Sequence, residues 1–435
     1  MTINLDYGKK GLRFNLPEDL EITLVEPNYI EKLSDPIKAI RQALHKPINK
    51  KPLVQQINLS KRVAVVFSDI TRPTPNNIIL PVVLNELEKI GVPENHITLF
   101  NATGTHRINT RAELEGMLGN DIVRKYRIIQ NDAHDRNTHI LIGRTKNGNE
   151  IQLNKEFLNC EQKILTGLIE PHFFAGFSGG GKAVMPGLAF IETVIHNHSA
   201  MNIDHPMATW GITGGNPIWE DIREAALMTE PVFLLNVTLN RKKEITGVFA
   251  GDIDKAYEKG CRFVRDNVMI PVEHSFDVVI TSNSGYPLDL NLYQCVKGMS
   301  AAFQVVKPGG SIIIAGECWD GIPEHGSYGK LLRSVSNPDE LLNKIRSPGF
   351  YEADMWQAQI QALICQQAEV YVYSTGLSEN QIRDAMLKPC KSIEDTVNKL
   401  REKYGNSMSI CILPEGPQTI PYIRNSQTRK QSKKV

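Results

Sequence analysis

The sequence lacks the features that mark several classes of protein. Its 435 residues include only seven cysteines, which are scattered without a CxxC pair and so do not resemble a disulfide framework. No apolar run approaches the roughly 18 residues that a membrane span needs. The N-terminus has charged residues where a signal peptide needs an apolar segment. We therefore expect a reduced, soluble, cytoplasmic protein with no membrane partner.

An excess of charge of either sign is also missing. The chain has 49 Lys and Arg against 48 Asp and Glu, a net charge of +1. A protein dedicated to binding nucleic acid usually has a basic excess, so we expect no nucleic-acid partner and favour a small molecule. Hydrophobic residues make up 41% of the chain, which is enough to build a full core and excludes general disorder.

What is present is a regular alternation of strand-like and helix-like segments. Arg62–Ser68 includes a short apolar run rich in β-branched residues, Asn76–Ile90 has apolar residues at helical spacing, and His96–Gly104 is strand-like again. Such alternation predicts an α/β fold with largely parallel sheets. The length corresponds to two or three domains. A boundary falls near Met269–His274, and the strand-like Phe276–Ser282 follows it.

We therefore expect two Rossmann-like α/β domains with the active site in the cleft between them. The first covers residues 1–270 and the second residues 275–418. The remaining residues, 419–435, include five Lys and Arg in their last twelve positions. That composition is typical of a basic, disordered tail.

The segment Glu170–Gly187, EPHFFAGFSGGGKAVMPG, has five glycines among its 18 residues, so it is a loop with specific backbone demands. Gly176 to Lys182 matches GxxxxGK, the pattern of a P-loop phosphotransferase. However, Ala183 stands where a P-loop has its Mg²⁺-binding Ser or Thr, and Pro186 interrupts the helix expected next. An uncrowded lysine suits covalent attachment to a cofactor or a grip on a phosphate; the alternative is a surface lysine in a flexible loop.

Histidines cluster in and after this loop. Four of the eleven lie close together in sequence, namely His172, His196, His198 and His205. The His-x-His pair at 196 and 198 is a weak metal signal. On a strand the two imidazoles would share a face, whereas on a helix they would lie about 200° apart. If the segment is helical, at most one of them is expected to bind a metal.

Polar residues follow the first two predicted strands of the chain. Asp69 and Arg72 come directly after the first strand, and His106 follows the second. Ligands of open α/β sheets bind at the carboxyl ends of the strands. Arg72 has the planar donor geometry that suits a carboxylate or a phosphate. Asp69 could instead be a helix cap and His106 an ordinary loop histidine, but together they favour a shared site.

The predicted second domain has its own polar cluster. Tyr293, Gln294 and Lys297 lie within about one helical turn, and the i,i+4 spacing places Tyr293 and Lys297 on one face. The later Lys307–Ile314, KPGGSIII, is similar to the late strand of Rossmann-type methyltransferases. The glycine-rich cofactor loop of that family is absent upstream, so an ordinary helix-to-strand turn at KPGG is the better interpretation.

Taken together, these motifs resemble the nickel-pincer lactate racemase family over essentially the whole chain. The segments that match are SDITRPTP, GTHR, PHFFAGFSGGGKAVMPG, HNH, LYQCVKG and DMWQAQ. The resemblance implies nickel and a mononucleotide derived from pyridinium-3,5-bisthiocarboxylic acid, whose two sulfur groups hold the metal. It further implies that Lys182 bonds covalently to this cofactor and that His198 is the remaining nickel ligand.

The same resemblance implies roles for the other matched positions. His106 and His172 would be the acid/base pair, and Arg72 would bind the substrate carboxylate. The other implied contacts with cofactor or substrate are those of Asp69, Ser178, Gly179, Gly180, Gly181, Tyr293, Gln294, Lys297 and Trp356.

The activity implied is racemisation or epimerisation of a small 2-hydroxy acid, with lactate as the default substrate. It would proceed by proton-coupled hydride transfer through a 2-keto acid, with one histidine on each side of the substrate. Malate, aryl-lactates and sugar acids remain alternative substrates. A P-loop-type phosphotransferase and a non-catalytic binding protein remain alternative functions. Enzymes that synthesise the cofactor and insert nickel are the implied maturation partners.

Overall fold

The computed structural model describes residues 1–231, 233–324 and 326–424, and the chain divides into two compact units. We call Tyr29–Arg265 the central unit. The second, which we call the terminal unit, combines Met1–Asn28 with the residues from Asp266 onward. The two units are described separately below.

The chain begins with three short strands of the terminal unit. They are β1 (Thr2–Leu5), β2 (Leu12–Asn15) and β3 (Glu21–Leu24). The first two pair with each other as an antiparallel hairpin, and the third joins a larger sheet described below.

The central unit consists of ten strands and ten helices within its described residues. The strands are β4 (Val63–Ser68), β5 (Ile97–Ala102), β6 (Arg127–Gln130), β7 (His139–Arg144), β8 (Glu150–Asn154), β9 (Gln162–Leu168), β10 (Pro171–His172), β11 (Gly176–Phe177), β12 (Phe233–Leu239) and β13 (Ile245–Gly251). The helices are α1 (Pro36–His45), α2 (Leu53–Gln56), α3 (Asn76–Lys89), α4 (Arg111–Leu118), α5 (Asn120–Lys125), α6 (Lys155–Leu158), α7 (Ile191–Asn197), α8 (Ala200–Ile203), α9 (Pro217–Leu227) and α10 (Ile253–Val268), the last of which runs into the terminal unit.

The main sheet of the central unit has the order β13-β12-β9-β4-β5-β6, and only β13 is antiparallel to its neighbour. Its middle strands β9 and β4 are buried almost throughout, and β4 has the continuous apolar run Val63–Phe67, because helices cover both faces of such a sheet. After β4 the chain adds β5 and then β6 on one side of that strand. It then adds β9 on the other side of β4, followed by β12 and β13. The strand order therefore reverses between β4 and β9, which is where open α/β sheets bind ligands.

The terminal unit continues with seven strands and six helices among the residues that the structure describes. The strands are β14 (Met269–Val272), β15 (Phe276–Ser282), β16 (Val306–Ala315), β17 (Glu369–Tyr373), β18 (Lys388–Pro389), β19 (Ser409–Leu413) and β20 (Ile420–Ile423). The helices are α11 (Leu292–Phe303), α12 (Tyr328–Arg333), α13 (Pro338–Ile345), α14 (Met355–Gln367), α15 (Glu379–Asp384) and α16 (Ile393–Tyr404).

The main sheet of the terminal unit is parallel throughout, in the order β18-β17-β16-β15-β19-β3. The predicted bounds of the two domains differ from this arrangement at both ends of the chain. Residues 1–28 do not belong with the first domain, because β3 pairs with β19 in the register Glu21 to Ser409. The predicted tail, residues 419–435, includes β20, which pairs with β14. Residues 425–435 of this tail lie outside the part of the chain that the structure describes.

The predicted fold class is confirmed, since both units are α/β with parallel main sheets. The expectation of a site in a cleft between two domains stays a prediction. Across the described residues, no helix combines the length and the apolar character needed to cross a membrane.

Candidate active site

The reversal of strand order in the central unit brings predicted site residues to one edge of its sheet. Asp69 and Arg72 follow β4, His106 follows β5, and His172 lies in the short hairpin β10–β11 that follows β9. These three strands are neighbours and parallel, so their carboxyl ends meet at the same edge. These residues lie close together because their strands are neighbours in the sheet, and the order of the strands cannot be read from the sequence motifs.

Asp69 and His106 form a hydrogen-bonded pair. The Asp69 carboxylate is buried, and its Oδ2 lies 3.0 Å from His106 Nδ1. Thr71, which was not among the predicted residues, donates its hydroxyl to Asp69 Oδ1 at 2.9 Å. Because an ionised carboxylate only accepts hydrogen bonds, the neutral imidazole has its proton on Nδ1. His106 Nε2 then has the lone pair that a general base needs.

Arg72 is held near the strand that precedes the glycine-rich loop. Its Nη1 lies 3.7 Å from Glu170 Oε1, and about a third of each side chain is exposed to solvent. Glu170 was not predicted as a site residue, although it opens the motif. A guanidinium has five N–H donors, so this contact leaves Arg72 able to bind an incoming carboxylate.

The glycine-rich loop packs tightly against the sheet. Gly179 has a positive φ of 78°, and a Cβ there would lie 2.8 Å from both Leu168 O and Asn236 Oδ1. Asn236 Oδ1 also accepts a hydrogen bond of 2.8 Å from the Gly180 N–H. Only glycine therefore allows the loop to approach the sheet this closely.

Two backbone amides of this loop donate hydrogen bonds within the protein. The Ser178 N–H donates to Glu170 O at 2.9 Å, and the Gly180 N–H donates to Asn236 as described above. The Ser178 hydroxyl donates to Leu168 O at 3.0 Å. These donors fix the loop, and the cofactor contacts of Ser178, Gly179, Gly180 and Gly181 stay predictions.

The loop does not have the geometry of a P-loop. Lys182 lies in a single turn of 3-10 helix, Gly180–Ala183, and the next α-helix begins only at Ile191. A P-loop runs directly into a sustained helix whose N-terminus holds the phosphates. The phosphotransferase hypothesis therefore has no support from the fold.

One aromatic ring, that of Phe174, contacts three predicted site residues. Its centroid lies 4.5 Å from the centroid of His172 and 4.9 Å from that of His198. Lys182 Nζ is 5.9 Å from the same centroid. Phe174 is itself buried, so the structure groups the predicted tethering lysine, the predicted nickel ligand and one predicted acid/base histidine.

His198 follows the last residue of α7, Asn197, and caps that helix. The segment is helical, so the two imidazoles of the His-x-His pair do not share a face. His198 is only 5% exposed. Burial and then the positive charge of Lys182 lower its pKa to about 3. The imidazole is therefore neutral at neutral pH, which is the form that binds metal ions.

This burial predicts a pH dependence of stability for the protein without cofactor. The unfolded chain protonates His198 near pH 6.5 and the folded chain only near pH 3, so stability falls as the pH falls between those values. Between pH 7 and pH 5 the loss from this group is about 2 kcal/mol. Urea unfolding at pH 7 and pH 5 measures it. His198→Gln should show a smaller difference, and an unchanged difference would contradict the assignment.

His172 has the opposite tautomer from His106. Its Nδ1 lies 3.2 Å from the Ala175 N–H. A backbone N–H only donates, so Nδ1 has no proton and the neutral ring has its proton on Nε2. The two predicted acid/base histidines are therefore not equivalent in this structure.

The predicted residues of the terminal unit lie on α11 and α14. The Tyr293 hydroxyl donates to Asp354 Oδ1 at 3.2 Å, and Lys297 Nζ donates to Gln294 Oε1 at 2.8 Å. Trp356 lies in α14 and is 6% exposed. The two helices present these four side chains on one compact unit, and their contacts with ligand stay predictions.

Comparison with known families matches nearly the whole chain. The family model described as "Lactate racemase N-terminal domain" matches residues 7–211, and "Lactate racemase C-terminal domain" matches residues 272–420. A lactate racemase of Thermoanaerobacterium thermosaccharolyticum is 34% identical over 424 residues, covering 96% of this chain and 99% of that protein. A lactate racemase of Lactiplantibacillus plantarum is 33% identical over 421 residues, covering 96% and 98%.

Solved structures agree with this match. The lactate racemase apoprotein from T. thermosaccharolyticum superposes with a TM-score of 0.90 at 34% identity, covering 98% of this chain and all of that one. A crystal structure of a Thermotoga maritima protein superposes with a TM-score of 0.67 at 21% identity, covering 91% and 100%. The second likeness concerns the fold alone.

Proposed function

Because the chain belongs to the lactate racemase family, we propose that it interconverts the two enantiomers of lactate. The observation that supports this proposal most directly is the grouping of His172, Lys182 and His198 around Phe174. The Asp69–His106 pair follows a neighbouring strand of the same sheet. Malate, aryl-lactates and sugar acids are the alternative substrates to test.

The residues of this site fit a nickel-pincer nucleotide tethered to Lys182. Lys182 supplies the amine for the covalent bond, and His198 supplies a neutral imidazole, since burial lowers its pKa to about 3. An imidazole is a suitable nickel ligand, and the ring of Phe174 contacts both residues. When bound, the cofactor supplies an electrophilic centre that takes up a hydride and returns it.

The chain's own residues bind and orient the substrate. In our proposal the Arg72 guanidinium binds the lactate carboxylate through two N–H donors. His106 takes the hydroxyl proton at Nε2, while Asp69 accepts from Nδ1 and stabilises the imidazolium that forms. Planar pyruvate would remain, held at its carboxylate by Arg72, once a bound cofactor has taken the C2 hydrogen with its electron pair. Reorientation of pyruvate about that anchor would present its other face to the same hydride, and a proton returned to the oxygen would complete the inversion.

His172 is proposed to exchange the proton on the other side of the substrate. An enantiomer pair places its hydroxyl groups differently, so one base cannot serve both. To exchange a proton at Nε2, His172 must gain a proton on Nδ1, and this requires it to release the hydrogen bond from the Ala175 N–H. We therefore expect the backbone around Ala175 to adjust when substrate binds.

Tyr293, Gln294, Lys297 and Trp356 are included in the proposal because they occupy the matched motif positions of the family. Lys297 would add a second cation for the carboxylate, and Trp356 would contact the cofactor. Their hydrogen bonds within the terminal unit, such as Lys297 to Gln294 at 2.8 Å, give them defined starting orientations.

A racemisation assay tests the proposed function. The chain is produced together with the enzymes that make the cofactor and insert nickel, and each lactate enantiomer is then followed by chiral chromatography. Since enantiomers have equal free energies, kcat/KM should be the same in both directions. Malate, an aryl-lactate and a sugar acid serve as parallel substrates. If one of these is converted and lactate is not, the proposal of lactate as the substrate is wrong. If nickel-loaded protein converts neither lactate nor any of the other three, the proposed racemase function is wrong.

A further inference from the structure

A buried carboxylate outside the proposed catalytic groups lies beside the segment that ends in His198. Asp221, on α9, is 2% exposed. It accepts hydrogen bonds from the Thr145 hydroxyl, from Asn149 Nδ2 at 2.7 Å and from Asn197 Nδ2 at 2.9 Å. All three donors are buried as well. A buried carboxylate with this many donors holds its partners in one arrangement.

Asn197 connects this carboxylate to the predicted nickel ligand, because it directly precedes His198. Its Nδ2 donates to Ile218 O at 3.1 Å as well as to Asp221. The amide oxygens of Asn149 and Asn197 are buried and accept no hydrogen bond from any residue that the structure describes. The side chains of Asn149 and Asn197 are therefore held by hydrogen bonds that their Nδ2 groups donate. Asp221 accepts one such bond from each of them.

The same helix also supports the lysine loop. A Cβ on Gly181, the residue before Lys182, would lie 3.0 Å from Ala226 Cβ and 3.1 Å from Ile222 O. The loop therefore packs directly on α9. The start of α9 is well defined, since Asn216 caps it and Pro217 occupies its first turn.

We propose that Asp221 is a positioning residue that orients the His198 imidazole toward the metal carried on Lys182. The inference rests on the proposed function of the same site. Helix α9 contacts both the loop that contains Lys182 and the turn that contains His198. The hydrogen bond between Asp221 and Asn197 holds that turn in place. Metal ligands need placement within about 0.5 Å, and loss of a group bonded directly to a ligand typically weakens metal binding 10–100-fold. Asp221 acts on His198 through Asn197, so its loss should have an effect at the lower end of that range.

The test compares retention of nickel rather than activity alone. Asp221→Asn removes the carboxylate, and Thr145→Val removes one donor to it without changing the shape of the side chain, whereas Thr145→Ser keeps that donor. The matched control is Glu86→Gln. Glu86 is another buried carboxylate of the central unit, bonded to His45 and Lys89 on the outer helices α1 and α3. Each protein is produced with the cofactor-making enzymes, and nickel loss to a chelator is timed.

We expect nickel to leave Asp221→Asn about 10-fold faster than wild type, the lower end of the range for a partner bonded directly to a ligand. Thr145→Val should show a smaller increase and Thr145→Ser should match wild type, while intact mass still shows the Lys182 adduct. Glu86→Gln should lower the melting temperature without changing nickel loss. If Asp221→Asn and Thr145→Val lose nickel no faster than Glu86→Gln, the inference is wrong. Wild-type protein with neither adduct nor nickel would overturn the proposed function itself, and the inference with it.

Discussion

Lys182→Ala is expected to abolish both retention of the cofactor and racemase activity. A methyl group has no amine to bond covalently, so the nucleotide is left with noncovalent contacts and is lost on purification. Mass spectrometry of protein produced with the cofactor-making enzymes should show the adduct in wild type and only the bare mass in the variant. Lactate racemisation should fall below detection in both directions.

Two further variants make this expectation specific to Lys182. Lys182→Arg keeps the positive charge but does not form the same bond, so it should also lack the adduct. Lys259→Ala removes an exposed lysine of α10 in the same unit and should behave as wild type. Normal activity in Lys182→Ala, or an adduct on a different residue, would contradict the tether assignment.

His106→Ala and His172→Ala are each expected to slow racemisation in both directions by about 10²–10⁴-fold. The return reaction passes through the same transition states, so a missing proton acceptor in one direction is a missing donor in the other. Nickel should stay bound in both variants, because neither imidazole is the proposed ligand. Metal analysis and chiral rate measurements on the same preparation check both statements.

The variant Asp69→Asn tests the proposed role of His106 as a general base. The amide cannot stabilise an imidazolium as a carboxylate does, and it can leave the proton on the wrong ring nitrogen. We expect kcat to fall with little change in nickel content. His134→Ala, which removes an exposed histidine of the same unit, is the control. Loss of nickel from His172→Ala would make that residue a metal ligand instead of an acid/base group.

Helices and strands that are buried, and whose apolar residues therefore follow a clear periodic pattern, could be predicted from the sequence. Phe276–Ser282 was predicted as a strand and has those bounds in the structure, because its apolar run is bordered by polar residues. The predicted helix Asn76–Ile90 ends one residue earlier, at Lys89. The turn predicted at Lys307–Gly310 instead lies within β16, whose pairing with β15 is irregular at that point. The register with β15 passes from Val306 opposite Phe276 to Ser311 opposite Val278, so the break that glycine and proline indicate is a bulge within the strand.

The chemistry of individual site residues depends on contacts that are distant in sequence. Motifs placed Asp69 and His106 at strand ends, but the tautomer of His106 follows from a bond of 3.0 Å across two strands. The role of Phe174 as a common neighbour of three residues depends on how the loop folds back on itself. Glu170 was visible in the motif, yet its partner Arg72 belongs to another strand end.

The pairing of β3 with β19 has a consequence for biosynthesis. β3 is made first among the strands of its sheet and β19 last, so at typical elongation rates β3 waits for some tens of seconds for its partner. The central unit can fold while the chain is still being made, whereas the terminal sheet can close only when synthesis is nearly complete. Ribosome stalling before β19 would therefore leave a folded central unit joined to an open strand edge, which is a template for aggregation.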